Sequence, residues 1–292
     1  MTTAAFSTVL QHTTDAEFRT WGSEFRTQLT AAGLVRTSDT GQIDWTTVTR
    51  PAANTDAGYE IWRFNDTQQA TAPIFIKFFF GTNASTSSPR VRIQIGTGSN
   101  GSGTLTGLTN TAITLNSNAV PTAAVLYPSY FCHAEGFLGV AWKLNGGTFG
   151  MAFVICRTAD PSGSNAPTAD GAYFYGGTTT NVNGSIFKFT ASTSVSNFST
   201  VAEAPCVVPG RMTATTVGSD TQAFPHFFGV PRVYPAFGIC TIVQSEMARG
   251  VTFTATLFGT TSHTFIALDS LGGPYGHASQ NNSNWAIAML WE

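Results

Sequence analysis

Hydrophobic and polar positions follow two different periods along this chain of 292 residues, and the period changes near Trp45. Before that point, Phe18, Trp21, Phe25 and Leu29 recur at spacings of three and four residues. This spacing puts all four side chains on one face of a helix. The pattern therefore predicts a single amphipathic helix with an aromatic stripe.

Both ends of this helix carry local signals. Thr14 and Glu17 fit a capping box, in which a hydroxyl and a carboxylate satisfy free backbone N–H groups at the helix start. Gly33 stands where a residue with left-handed backbone would end the helix. The predicted helix therefore covers residues 15–32.

Short runs of alternating polar and apolar residues follow Trp45, separated by Gly, Pro, Asn and Asp. Alternation with a period of two is typical of half-buried strands, and Asn145-Gly146-Gly147 is typical of a tight hairpin turn. The predicted strands are residues 58–64, 74–80, 90–95, 125–134, 136–144, 148–157, 172–175, 185–190, 233–244, 251–258, 263–268 and 285–291. The expected fold is mainly β, an antiparallel, jelly-roll-like β-sandwich body over residues 46–292, with a further division near 107–120 left open.

Residues 1–45 are expected to form a separate helix and attachment segment. A short helix with a large aromatic face is not stable alone, so Phe18, Trp21, Phe25 and Leu29 must contact something. One hypothesis makes these four the residues that dock into a partner. The alternative, with equal weight, is a helix packed on the sheet of its own domain.

Composition adds a second observation, because only 10% of the residues are charged and the net charge is −2. An ordinary soluble domain has about 25% charged residues. Threonine, serine and glycine, numbering 45, 23 and 29, fill the polar positions instead. This favours a surface covered by other subunits. The alternative is a monomer kept soluble by its hydroxyl groups.

Charge and termini also exclude several classes of partner. The chain lacks the basic surface that binding to nucleic acid or anionic lipid requires. No apolar run reaches the roughly 20 residues that cross a bilayer, so no membrane insertion is expected. The first residues lack a basic and apolar leader, which predicts synthesis in a cytoplasm.

Candidate chemistry is sparse, and we expect no enzyme activity, no cofactor and no metal. Cys132, Cys156, Cys206 and Cys240 are widely spaced in apolar runs, as is typical of buried reduced thiols. The run from Gly96 to Gly101 matches GxGxxG, but the Gly/Ser/Thr residues that follow cannot continue a helix, so a loop is expected. His226 lies among aromatics and is predicted to be packed, and the scattered acids nominate no catalytic pair.

Aromatic residues near Gly, Pro and Ser loops are the more interesting candidates for binding. Such loops often carry platforms for sugar or protein ligands. Most aromatic residues belong to the core, so packing stays the alternative for each of them. The candidate ligand-facing residues are Tyr127, Tyr130, Tyr173 and Tyr175.

Residues 18–107 carry a resemblance to a known family. Its marks are Trp21-Gly22-Ser23-Glu24-Phe25, Ser38-Asp39-Thr40-Gly41-Gln42-Ile43-Asp44-Trp45, Gly58-Tyr59-Glu60-Ile61-Trp62-Arg63-Phe64 and Pro73-Ile74-Phe75-Ile76-Lys77. This third of the chain resembles virion structural proteins of tailed bacteriophages, which are placed with tail, baseplate or fibre components. The motifs define a structural module, so no functional residues carry over.

The resemblance implies a non-enzymatic virion component that assembles with copies of itself, as a trimer or ring, and with other tail proteins. Alternatives are a receptor- or glycan-binding module of the tail tip, which would contact a host cell-surface glycan or protein, and a capsid decoration protein. A polysaccharide depolymerase is the remaining alternative. Such enzymes are commonly long repetitive solenoids, a pattern that this sequence lacks.

Overall fold

A computed structural model gives the fold of the protein. It describes residues 2–9, 13–83, 89–108, 112–116, 126–143, 149–159, 167–177, 182–188, 197–199, 215–217, 221–228, 234–243, 251–256, 262–267 and 285–291. Within these ranges the protein is mainly β, with antiparallel sheets and one helix. The predicted fold class is thereby confirmed, while the jelly-roll arrangement stays a prediction.

The helix, α1, covers Asp15–Ala31. Within the described ranges, twenty strands accompany it: β1 (Thr2–Val9), β2 (Val35–Arg36), β3 (Asp56–Arg63), β4 (Phe75–Thr82), β5 (Pro89–Gly96), β6 (Gly98–Ser99), β7 (Leu105–Thr106), β8 (Ile113–Asn116), β9 (Leu126–Ala134), β10 (Phe137–Lys143), β11 (Phe149–Ala159), β12 (Pro167–Gly177), β13 (Val182–Lys188), β14 (Asn197–Ser199), β15 (Thr215–Val217), β16 (Thr221–Phe228), β17 (Tyr234–Val243), β18 (Thr252–Ala255), β19 (His263–Ala267) and β20 (Trp285–Leu290).

Helix α1 begins and ends as the local signals predict. The Thr14 side chain accepts a hydrogen bond from the Glu17 N–H, and the Glu17 carboxylate accepts one from the Thr14 N–H, completing the capping box. At the other end, Gly33 has a φ of 93° and donates to the Thr30 carbonyl, while Leu34 donates to the Leu29 carbonyl. These two bonds form a Schellman motif, which satisfies carbonyls that the helix leaves free.

A five-stranded antiparallel sheet in the order β2-β3-β4-β5-β8 lies beside the helix. Its register aligns Trp62 with Ile76, and Ile76 with Ile95. Side chains alternate between the two faces of a strand, so these residues share one face. All three are buried, and this face lies in the core with the helix.

The aromatic stripe of α1 packs within its own domain. Phe18, Trp21, Phe25 and Leu29 are 0–1% exposed. The Phe25 ring meets those of Phe80 and Phe131 edge to face, at centroid distances of 5.3 and 5.2 Å. These contacts correct the expectation of a free docking face. They also show that residues 1–45 share their core with later strands, so the helix is not a separable segment.

A larger sheet of 13 strands has the main path β1-β9-β10-β11-β17-β20-β19-β18. Its strands β9–β11 are covered on both faces. Phe131, Val140 and Phe153 lie in the core that the helix shares, and Phe78 of the small sheet packs 5.8 Å from Phe153, between ring centroids. On the opposite face, Gly139 leaves room for the Met289 sulfur, which lies only 2.5 Å from where a Cβ would stand.

Twelve strands were predicted, and each coincides with an observed strand to within a few residues. Strands β10 and β11 pair antiparallel, as the predicted hairpin requires, although the Asn145-Gly146-Gly147 turn lies outside the described residues. Strand β9 pairs with the other edge of β10. Strand β1 was missed, because Thr2–Val9 has no clear alternation. It pairs with β9, with Thr2 opposite His133, across more than a third of the chain.

Candidate functional site

The glycine-rich run after β5 forms a small hairpin. Strands β6 and β7 pair there, and Asn100 holds the turn by accepting hydrogen bonds from the N–H groups of Ser102 and Thr104, at 2.9 and 3.0 Å. No helix begins at the run from Gly96 to Gly101, so it cannot present the helical amides that bind a pyrophosphate. The expected loop is confirmed as an ordered hairpin.

This hairpin is fixed to the sheet by specific contacts. Gly103 has a φ of 89° and its Cα lies so close to Tyr59 that an added Cβ would stand 1.9 Å from the hydroxyl. The buried Asp39 carboxylate accepts hydrogen bonds from the Ser99 hydroxyl and the Gly103 N–H. Burial would raise the pKa of Asp39, but hydrogen bonds from Ser99, Thr37 and Gly103 lower it overall. The hairpin is therefore held in one conformation.

The exposed part of the hairpin carries no charge. We call it the hairpin patch, and its exposed residues are Asn100, Gly101, Ser102, Thr104, Thr106, Gly107 and Leu108. Leu108 is 45% exposed, which is unusual among the large hydrophobic residues that the structure describes. The patch lies within the uncharged stretch between Arg92 and Glu135.

The outer face of the five-stranded sheet is cationic and aromatic. The Lys77 ammonium lies 3.9 Å from the ring centroid of Tyr59 and donates to the Gly103 carbonyl at 2.6 Å. The Arg92 guanidinium lies 4.5 Å from the ring centroid of Phe79, and Arg92 also pairs with Asp56. Each charged side chain in this row therefore already has partners.

A buried carboxylate, Glu60, lies between α1 and the sheet, and it is 0% exposed. Its Oε1 atom accepts hydrogen bonds from Arg26 Nε at 2.6 Å and from the Trp45 indole at 3.2 Å. Its Oε2 atom accepts one from the Trp62 indole at 3.0 Å. Arg36 approaches the same Oε1 with its Nε at 3.4 Å, so two arginines share one carboxylate.

A second buried ion pair joins the large sheet to the loop after β3. Arg157 of β11 meets Asp66 in two parallel bonds, Nε–Oδ2 at 2.7 Å and Nη2–Oδ1 at 2.9 Å. Its Nη1 donates to the Ala72 carbonyl at 2.8 Å. Both side chains of the pair are fully buried. This pair is neutral and well bonded, so its role is to fix the loop after β3 on the large sheet.

His133 lies beside this pair and is 7% exposed. Its ring meets that of Phe64 edge to face at 5.7 Å, and its Nε2 atom is buried without a hydrogen-bond partner among the described residues. Burial lowers the pKa of His133 to about 4, against an opposing attraction from Asp66. His133 is therefore neutral at pH 7, as suits a packing residue.

Of the four residues proposed to face ligands, the structure describes the side chain of Tyr130. Tyr130 is half-buried, and its ring meets that of Trp291 edge to face at 6.2 Å. Tyr127 lies in β9 and Tyr173 and Tyr175 lie in β12, but their side chains fall outside the description. The predicted platform therefore stays a prediction.

Cysteine and acidic residues show no site chemistry where they are described. Cys132 and Cys156 are free and buried, and burial raises the pKa of both thiols. Cys206 lies outside the described residues, as do the side chains of Cys240 and His226. Among the residues that the structure describes, no group of three or more His, Cys, Asp or Glu side chains could hold a metal ion.

Two sites were missed by sequence reasoning, the Glu60 cluster and the Arg157–Asp66 pair. Glu60 lies two residues before Trp62 in β3 and so shares its buried face, which was the available signal. No comparable signal marks Arg157, whose partner is 91 residues away.

Comparisons with known proteins add no relative. No protein-family model matches the chain, and no curated protein matches it. In the described part of the chain, no helix combines the length and apolar character needed to cross a membrane.

Proposed function

We propose that the protein is a non-enzymatic structural component of a phage virion, associated with the tail, baseplate or fibre, and that it assembles with copies of itself. The observation that carries the proposal is the hairpin patch. It is exposed, uncharged and held in one conformation, and it includes a half-exposed leucine. A preformed apolar and hydroxyl-rich patch loses little conformational entropy when it docks.

The use of charge in the fold supports the same proposal. Five ion pairs among the described residues involve eight of the 30 charged side chains, and the pairs of Glu60 and Asp66 are fully or partly buried. The remaining surface is poorer in free charge than the composition alone indicates. Repulsion between like-charged surfaces keeps monomers apart, and this surface offers little of it.

The location in a virion comes from the resemblance of residues 18–107. Most of the quoted residues lie in α1, β3, β4 and the segments between them, which form one module with a common core. Trp21, Trp45 and Trp62 are all buried in that core. The resemblance therefore falls on residues that specify a structural module, which is the kind of similarity expected for an assembly protein.

The native mass of the purified full-length protein tests the proposal. We expect a closed oligomer, a trimer or a ring, in analytical ultracentrifugation and native mass spectrometry. Thr104→Lys and Leu108→Lys place a charge in the hairpin patch and should shift the protein to monomer. The matched control is Thr27→Lys, since Thr27 is exposed on the outer face of α1.

A monomeric wild-type protein would overturn the assembly proposal. An oligomer that survives both patch substitutions would place the interface elsewhere. Electron microscopy of phage particles labelled with an antibody to the protein tests the virion location. Label at the tail is expected, while label confined to the capsid would favour a decoration protein.

A further inference from the structure

Arg36 is an unusual charged residue in this fold because it has an ion-pair partner and no hydrogen bond. Its Nε atom is buried and has no hydrogen-bond partner among the described residues. By contrast, Arg157 and Arg26 each donate to a carboxylate and to a backbone carbonyl. Buried guanidinium N–H groups are normally bonded, so this residue requires an explanation.

The bonding of Glu60 explains why Arg36 is left without a hydrogen bond. A carboxylate oxygen offers about two lone pairs. On Oε1, the atom that Arg36 Nε approaches, both are taken by Arg26 Nε and the Trp45 indole, while Oε2 accepts from Trp62 and makes no hydrogen bond to Arg36. Arg36 therefore gains only Coulomb attraction from Glu60, and its forked donors remain free for another acceptor.

Arg36 and the two charged side chains nearest to it do not balance in charge. Arg26 and Arg36 share the single charge of Glu60, so these three side chains carry a net charge of +1. The exposed Asp44 attracts Arg26 from the solvent side and offsets part of this charge. Burial lowers the pKa of Arg36, attraction to Glu60 opposes this, and repulsion by Arg26 adds to it.

The two arginines are accessible from solvent. Their side chains are 32% and 33% exposed, while the Glu60 side chain beneath them is 0% exposed. The solvent-exposed part of this cluster therefore belongs to the two arginine side chains and not to the carboxylate. The planar fork of arginine fits the two oxygens of a carboxylate or a phosphate.

We propose that Arg36, with Arg26, forms an oxyanion-binding site at the edge of the five-stranded sheet, which takes one carboxylate or phosphate group of a second molecule. The bound anion supplies hydrogen-bond acceptors to Arg36 that the fully bonded Oε1 atom of Glu60 does not offer, and it offsets the net positive charge of Arg26, Arg36 and Glu60. The site does not depend on the assembly proposal, because its residues lie outside the hairpin patch.

Equilibrium dialysis of the full-length protein with radiolabelled inorganic phosphate, at constant ionic strength, tests the site. We expect saturable binding of one phosphate per chain. Acetate should compete if the site accepts planar carboxylates, and failure to compete would restrict the site to tetrahedral anions such as phosphate. Equal competition by chloride would show general screening and overturn the proposal, as would the absence of saturable binding to the wild type.

Two substitutions locate the site. Arg36→Lys keeps the charge but removes the fork, and it should weaken phosphate binding on the order of tenfold. The matched control is Arg63→Lys on the neighbouring strand, since Arg63 lies opposite Val35 and bonds the Phe64 carbonyl. If phosphate binding is weakened equally in both variants, or is weakened in neither, the assignment is overturned. Circular dichroism establishes that the variants fold. The dialysis measurement on the wild-type protein tests the existence of the site independently of the variants.

Discussion

Arg157 and Arg36 lie in two regions of the molecule that bond an arginine side chain in opposite ways, one fully buried and one exposed by about a third. Arg157 crosses from the large sheet to the loop after β3 and meets one carboxylate of its own in two bonds. Arg36 lies at the edge of the small sheet and shares a carboxylate with Arg26. We call the first, neutral region around Arg157 and Asp66 the closed region. We call the second, around Arg26, Arg36 and Glu60, the open region, because it keeps a positive charge near solvent.

This difference separates a structural ion pair from a candidate binding site. When a buried ion pair is fully bonded, its hydrogen bonds and its Coulomb attraction offset the free-energy cost of removing both charges from water. Such a pair fixes one arrangement of the two elements that it joins. When donors remain free beside solvent, water satisfies them until an anion of suitable shape displaces it. The count of hydrogen bonds, and not the presence of charge, distinguishes the two regions.

Removal of Arg157 should have the largest effect. Arg157→Met leaves the Asp66 carboxylate buried without its partner, so we expect the free energy of unfolding to fall by about 3–5 kcal/mol. Denaturant unfolding followed by circular dichroism measures this loss. In the double variant Arg157→Met/Asp66→Leu most of the stability should return, and a loss below about 1 kcal/mol in the single variant would contradict the closed pair.

Acidification should weaken the closed region through its neighbour His133. The unfolded chain takes up the proton near pH 6.5, whereas the folded protein takes it up only near a pKa of about 4. Above pH 6.5 the titration of this residue therefore does not lower the free energy of unfolding. As the pH drops from 6.5 to 4, the free energy of unfolding falls, by about 3 kcal/mol in total.

The variant His133→Phe isolates this contribution, because it keeps an aromatic ring against Phe64 and removes the titration. As the pH falls from 6.5 to 4, the free energy of unfolding should fall further in the wild type than in the variant. A difference that does not change with pH would contradict a buried neutral histidine.

Neutralising Glu60 should damage the open region less than the loss of Arg157 damages the closed one. Glu60→Gln leaves Arg26 and Arg36 facing each other without a countercharge, but solvent screens both, since each is about one third exposed. We expect a loss of about 2 kcal/mol by thermal or denaturant unfolding. The control Glu135→Gln alters an exposed carboxylate that bonds Thr67 and should change stability by less than about 0.5 kcal/mol.

Removal of Arg36 should have the smallest effect. Arg36→Met discards the attraction of Glu60 together with the repulsion of Arg26 and the desolvation of a cation. We expect a change of less than about 1 kcal/mol in either direction in phosphate-free buffer. A loss comparable to that of Arg157→Met would remove the distinction between the two regions.

Local pattern was enough to predict α1 and most strands. The Thr14 and Glu17 side chains and Gly33 each act within a few residues of the helix ends, so their effect can be read without the fold. The alternation in β3, β4 and β5 likewise indicates which side chains are buried. What the pattern could not decide is what covers each buried face.

The sequence left the aromatic stripe with two interpretations, a partner or the local sheet. The structure places Phe25 against Phe80 and Phe131, which are 55 and 106 residues further along the chain. No local rule predicts such distant contacts, because they depend on the order in which strands pair. The same holds for strand β1, whose partner is β9.

The sequence by itself determined the class of the protein: mainly β, with one capped helix, little charge, and a glycine-rich run that does not open a helix. Each of these follows from short-range backbone geometry or composition. Only the tertiary structure decided that the helix is core, that Arg157 meets Asp66, and that Arg36 is left with free donors. Those outcomes depend on hydrogen-bond partners and burial, which arise when distant segments pack together.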